Sequence, residues 1–156
     1  PLLREQSILF EPDEITSVET QELVKDMWET MLANAGAGLA APQVNVHKRV
    51  VVMDISEREN QTPQPLFLIN PVLTVTDPEC DGLEEGCLSV GEGEDLPRAF
   101  VKRPKGIHMT YLNEKGVAQA MDLTFPLSIV VQHEVDHLDG VLFIDRLPPF
   151  KKQKIL

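Results

Sequence analysis

The sequence predicts an α+β fold: mostly antiparallel β-sheets packed around a central buried helix that carries His133-Glu134-Val135-Asp136-His137. Three observations predict it. Two segments carry helical apolar spacing. Between them lie short β-branched runs separated by Gly, Pro, Asn and Asp, the pattern of hairpin-connected strands. The second helical segment is apolar almost all round as far as the motif, as a buried helix must be. The 156 residues fit a single catalytic domain over 1–156, long enough to bury roughly 70% of its unfolded surface.

The first helix is expected over 17–33. Thr16 or Ser17 can cap it, and Thr16-Ser17-Val18-Glu19 has capping-box spacing. Leu23, Val24, Met27, Trp28, Met31 and Leu32 then form one apolar stripe, and Asn34-Ala35-Gly36 ends it. Arg49 to Ile55 reads as a buried strand. Leu66 to Ile69 and Val72 to Val75 read as two short strands split by Asn70-Pro71. Residues 91–106, with Gly91, Gly93, Gly106, Pro97 and Pro104, read as a loop. Ile107 to Leu112 and Ala118 to Leu123 flank the turn Asn113-Glu114-Lys115-Gly116 as a hairpin. Thr124-Phe125-Pro126 starts the second helix, which runs to His137 or Leu138 and is capped by Gly140.

Composition narrows the function classes. Apolar residues make up 42% and charged residues 25% of the chain, ordinary globular values. The net charge of −11, from 25 acidic and 14 basic residues, repels phosphate backbones and disfavours direct nucleic-acid binding. No apolar run reaches the length of a bilayer span, so no membrane partner is expected. The sequence begins at Pro1 without a signal-peptide pattern or an initiator Met, which leaves a removed leader open. Cys80 and Cys87 are too few for a disulfide scaffold. A reducing cytoplasm is the expected compartment.

His133-Glu134-Val135-Asp136-His137 carries the chemistry. Residues four apart share one helix face, so both imidazoles can reach one metal ion. A metal lowers the pKa of a water toward neutrality, and Glu134 lies beside the pair as the group to take its proton. The competing reading is a chance match on an exposed helix. Two histidines and a glutamate on an otherwise apolar helix make that reading costly, because they need partners. Catalytic metal sites commonly have three protein ligands. Downstream of the motif, Phe143 stands where a third histidine could extend it, leaving Asp139 and Asp145 as weak choices. The upstream choices are Cys80, Cys87, His47 and His108, and Glu85-Gly86-Cys87-Leu88-Ser89 makes Cys87 the best placed by context. Its bland alternative is a small buried core residue.

Gly36-Ala37-Gly38-Leu39-Ala40-Ala41-Pro42-Gln43 lacks the Lys-Ser/Thr of a phosphate loop. Its small residues instead let an extended peptide approach along an edge. Gln43 either makes a structural hydrogen bond to backbone or donates to a reacting oxygen, and spacing alone does not choose.

Taken in order, 36–43, 85–89 and Gln132 to His137 resemble the three motifs of the peptide deformylases, with the resemblance covering about residues 20–147. It implies hydrolysis of the N-formyl group from formyl-methionine at the start of new polypeptides, releasing formate. It implies a divalent metal on Cys87, His133 and His137, Fe(II) by preference, with Zn, Ni or Co as substitutes in purified samples. Glu134 would be the general base and then acid, while the Gln43 amide and the Leu88 backbone N–H would hold the oxyanion. Gly36, Ala37, Gly38 and Gly86 would lie along the substrate peptide. Ile129, Val130 and His133 would line the methionine pocket. Arg98 and Arg103 both compete for the family's cleft arginine, and Val101-Lys102-Arg103-Pro104 favours Arg103.

Departures are local. Gly91 stands where many relatives have Pro, and Ala37 where a larger aliphatic is common. Little sequence follows residue 147, whereas many relatives continue into a long C-terminal helix that in some docks the ribosome. That leaves Lys151, Lys152 and Lys154 as the basic cluster for such a partner. Two other classes compete with the deformylase reading. A general metallopeptidase would cleave unformylated peptides and use a ligand other than Cys87. An inert binding protein with a structural metal would have no need of Glu134.

Overall fold

The computed structural model describes residues 6–34, 36–56, 62–86 and 98–141, with backbone only for 81–86 and 98–101. Five strands form one antiparallel sheet in sequential order: β1 (Gly38–Ala40), β2 (Val50–Asp54), β3 (Pro65–Gly86), β4 (Arg98–Leu112) and β5 (Ala118–Leu123). Helices α1 (Val18–Ala33) and α2 (Leu127–Leu138) pack against it through separate cores.

β2 shows why the layers form. All of Val50, Val51, Val52 and Met53 are buried, and their side chains alternate between faces. Val50 and Val52 join Phe10, Ile15, Val24, Met27 and Met31 on the α1 side. Val51 and Met53 join Leu68, Ile107, Met109, Val131, Val135 and Leu138 on the α2 side. A strand with two apolar faces has to be covered twice.

α1 starts as expected, but Ser17 is the cap: its hydroxyl accepts from the Thr20 N–H at 3.3 Å. This shifts the capping register by one residue from Thr16, so Thr20 rather than Glu19 meets the cap. Leu32, expected in the apolar stripe, is 41% exposed.

The sheet corrects two expectations. Leu66–Ile69 and Val72–Val75 belong to one long strand that continues through Pro78 and Cys80, and residues 98–106 extend β4 rather than forming a loop. Pairing between β3 and β4 runs from Ile69↔Leu112 to Gly86↔Arg98, with irregularities at Ile69/Val72, Val75/Asp77 and Asp77/Cys80. Proline and glycine signals here mark bulges, not ends, because each disrupted position is flanked by paired backbone. Asn70 absorbs one irregularity in a left-handed conformation at φ 52. Its side chain exchanges two hydrogen bonds with the Phe10 backbone, fastening the N-terminal segment to the sheet. The β4–β5 hairpin forms as expected, with Asn113 Oδ1 accepting from the Lys115 and Val117 N–H groups and Gly116 at φ 79.

Candidate active site on the second helix

α2 brings the motif to the sheet. Within this helix Glu134, Val135, Asp136, His137 and Leu138 are buried in succession. The His133 and His137 rings lie 5.2 Å apart between centroids, inclined at 78°. Burial, with the neighbouring His133 ring second, pushes the His137 pKa down to about 4, so its imidazole is neutral at pH 7, the form that can ligate. Two imidazole nitrogen donors on one helix face suit a first-row divalent ion.

Glu134 points toward β1. A Cβ built on Gly38 would sit 2.9 Å from Glu134 Cγ and 3.3 Å from its Oε1, so the carboxylate side chain occupies the space that any larger residue would fill. Glu134 is only 6% exposed. β1 is an edge strand, paired with β2 on one side. Gly36 and Ala37 are exposed just before it, and the Ala37 carbonyl accepts from the Asp54 N–H.

Gln43 sits in the 3₁₀ turn Ala41–Val44 that follows β1. Its Oε1 accepts the Ala40 N–H at 3.0 Å. The structural hydrogen bond weighed from sequence is therefore real, and it fixes the amide so that the NH2 end is the donor. A donor is what a developing oxyanion requires.

Ile129 is buried and Val130 half-buried against the α2-side core, and His133 is half-buried. Gly86 ends β3, paired with Arg98. Cys87 and Leu88 lie outside the described residues. Among the described residues no group of three or more His, Cys, Asp or Glu side chains comes together as a metal cage. His47, His108 and Cys80 thus do not join the imidazole pair. His108 instead contacts Asp122 across the hairpin at 2.7 Å, Cys80 is an exposed free thiol on β3, and Asp139 pairs with Arg49 at 2.8 Å.

Arg103, expected along the substrate, is 3% exposed, and its Nη1 donates to Asp136 Oδ2 at 2.6 Å. Sequence reasoning missed this pair. The signal was present, because Asp136 is a carboxylate in a buried helix one residue before His137, and such a group demands a cation. It also missed polar contacts from α2 to β4 by Ser128 Oγ to the Lys105 carbonyl and by Gln132 Nε2 to the Pro104 carbonyl.

Comparison with known proteins places these motifs in a family. The family model described as polypeptide deformylase matches residues 1–153. Over 137 residues the chain is 46% identical to the peptide deformylase of Hamiltonella defensa subsp. Acyrthosiphon pisum, spanning 88% of this chain and 75% of that one. It is also 46% identical over 135 residues to the peptide deformylase of Cellvibrio japonicus, spanning 86% of this chain and 76% of the relative. The crystal structure of peptide deformylase from Ehrlichia chaffeensis superimposes with a TM-score of 0.84 at 35% identity, covering 98% of this chain and 86% of that one.

Proposed function

The chain belongs to the polypeptide deformylase family, metalloenzymes that remove the N-formyl group from nascent polypeptides, and from that premise we propose which of its residues perform the reaction. The observation that carries the reading is the Glu134 side chain packed against Gly38 of an edge strand, beside the His133–His137 imidazole pair. A general base, two nitrogen donors and a strand edge able to bind peptide then meet in one place.

In this reading the substrate lies extended along Gly36, Ala37 and Gly38, its backbone pairing with the edge of β1. Gly86 and Arg103 remain assigned to the rim of that cleft. Ile129, Val130 and His133 enclose the methionine side chain. His133, His137 and Cys87 would hold one divalent metal, which would supply Lewis acidity at the formyl group and lower the pKa of a nearby water. Fe(II) is the assigned ion, because a thiolate beside two imidazoles suits it, and Zn, Ni or Co satisfy the same donors.

Glu134 takes the proton from the attacking water as the water oxygen adds to the formyl carbon. Charge then gathers on the formyl oxygen, where the Gln43 NH2 and the Leu88 backbone N–H donate to it. Glu134 returns the proton to the departing nitrogen as the C–N bond breaks, leaving formate and a free amino terminus. The balance needs one water and no other reactant.

Formate release from formyl-Met-Ala-Ser, with acetyl-Met-Ala-Ser left intact, is the expected outcome. Cleavage of unformylated peptides without formate would overturn it. We further assign one catalytic domain over 1–156 and a bacterial-type cytoplasmic setting, supported by the relatives named above. No described helix is long and apolar enough to cross a membrane. Lys151, Lys152 and Lys154, outside the described residues, are the proposed contact for ribosomes, and cosedimentation of the lysine-to-alanine triple variant tests it.

A further inference from the structure

Three side chains on α2 make a row. Ser128, Gln132 and Asp136 are spaced four apart and so lie one above another on a single helix face. Each meets a consecutive residue of β4, in reverse order. Ser128 Oγ donates to the Lys105 carbonyl at 2.6 Å, Gln132 Nε2 donates to the Pro104 carbonyl at 2.8 Å, and Asp136 accepts from Arg103 Nη1 at 2.6 Å. The rungs lengthen along the row. The first spans one short side chain, the second a longer amide, and the third two side chains end to end. A helix climbs about 6 Å over four residues while a strand advances about 3.3 Å per residue. Rungs of equal length could not follow both.

We propose that Ser128, Gln132 and the Arg103–Asp136 pair are positioning residues whose graded reach sets the rotation and tilt of α2, and thereby aims His133, His137 and Glu134. This rests on the assignment of those three residues as ligands and base. The next residues along the helix from Gln132 and Asp136 are His133 and His137, about 100° further round. A turn of the helix about its axis therefore moves both imidazoles together, and Glu134 with them. Apolar packing alone fixes such a rotation poorly, since dispersion contacts are non-directional, whereas hydrogen bonds at these lengths are directional. Arg103 meets the motif helix at Asp136, next to His137, and through that contact it acts by placement. Ser128 is fully buried and Asp136 and Arg103 nearly so, which keeps water from replacing the first and third rungs.

The test compares Gln132→Leu, Ser128→Ala and Arg103→Met with the parent, each loaded with cobalt in place of the native ion. Ser128→Ala removes one oxygen only, so it keeps the experiment decisive if a larger change prevents folding; Ser128→Thr, which restores a hydroxyl, serves as the rescue. Expected for Gln132→Leu and Ser128→Ala is a kcat lower by roughly 10-fold with KM within about 2-fold, since misplacement near 1 Å costs up to ~10²-fold. The visible absorption bands of the bound cobalt should shift, and Ser128→Thr should move both readouts back toward the parent. Variants with lowered melting temperature but parental kcat and cobalt spectrum would reduce the row to a purely structural role and overturn the proposal. A parent protein that holds no cobalt would instead defeat the ligand assignment, a distinct failure.

Discussion

Replacing Gly38 with alanine tests the geometry of Glu134, the proposed base, directly. Gly38 is not among the glycines with positive φ, so its backbone conformation accepts alanine and any effect comes from the added methyl. That methyl would lie 2.9 Å from Glu134 Cγ, where ordinary contact begins at 3.4 Å, a deficit of 3.4 − 2.9 = 0.5 Å. Glu134 is 6% exposed and cannot swing into solvent without leaving the site. It yields by turning off its preferred rotamer, at about 0.5–1.5 kcal/mol, or by carrying its carboxylate aside. If a displacement of ~1 Å costs about 10²-fold, half of it costs about 10-fold in kcat. Stability should change little, because the strain is partly offset by the ~0.4–1 kcal/mol gained when a glycine leaves the unfolded chain. Formate release measures kcat and KM, and thermal melting measures stability. In a Glu134→Gln background Gly38→Ala should cost nothing more in kcat, since both act through one carboxylate. Parental kcat in Gly38→Ala, or full additivity with Glu134→Gln, would refute the contact as the reason for the glycine.

Glu134→Gln should keep its metal, by elemental analysis, yet lose at least ~10²-fold in kcat as proton transfer is removed; near-parental turnover would rule out the assigned base. Cys87→Ser should retain much less metal after dialysis than Cys80→Ser, whose thiol is exposed on β3; equal metal content would refute the ligand choice. Arg49 Nη1 donates to the Leu138 carbonyl at 3.2 Å and to Asp139 at 2.8 Å, closing the C-terminal end of α2. Arg49→Met should therefore lower stability by about 1 kcal/mol, a shift of roughly 2–4 °C in Tm, and an unchanged melt would remove that role. Burial acts to raise the Asp54 pKa, but hydrogen bonds from Ser56 and Gln64 outweigh it and hold the carboxyl below its usual 3.8. A folded-state value below the unfolded one contributes stability above that unfolded pKa, lost as pH falls through the folded value. Asp54→Asn should accordingly lower stability across the neutral region, converge with the parent below about pH 4 and so flatten the acid limb of the curve, as chemical denaturation across pH would show; equal stability at pH 7 would remove that role.

Local chemistry made much of this molecule legible. The 3-4 spacing from Leu23 to Met31 announced α1, Asn113 to Gly116 announced the hairpin turn, and His133 with His137 had to share a helix face once α2 was drawn. These signals span a few residues, and their physics acts over the same few residues. Gln43 was half legible: its amide had to find a partner, but only the fold showed that its oxygen end goes to the Ala40 N–H.

By itself, then, the sequence determined the helix that carries the histidines and glutamate, the sheet class, and the family chemistry those motifs imply. Tertiary structure alone decided that 98–106 is strand and not loop, because pairing with β3 satisfies backbone groups that proline and glycine signals would have left to solvent. It decided that Gly38 stands against Glu134 and that Arg103 reaches Asp136, contacts made by residues 96 and 33 positions apart (134 − 38 and 136 − 103). Such contacts leave no periodicity in a chain. They arise when two faces close and each buried polar group must meet whatever the opposing element presents.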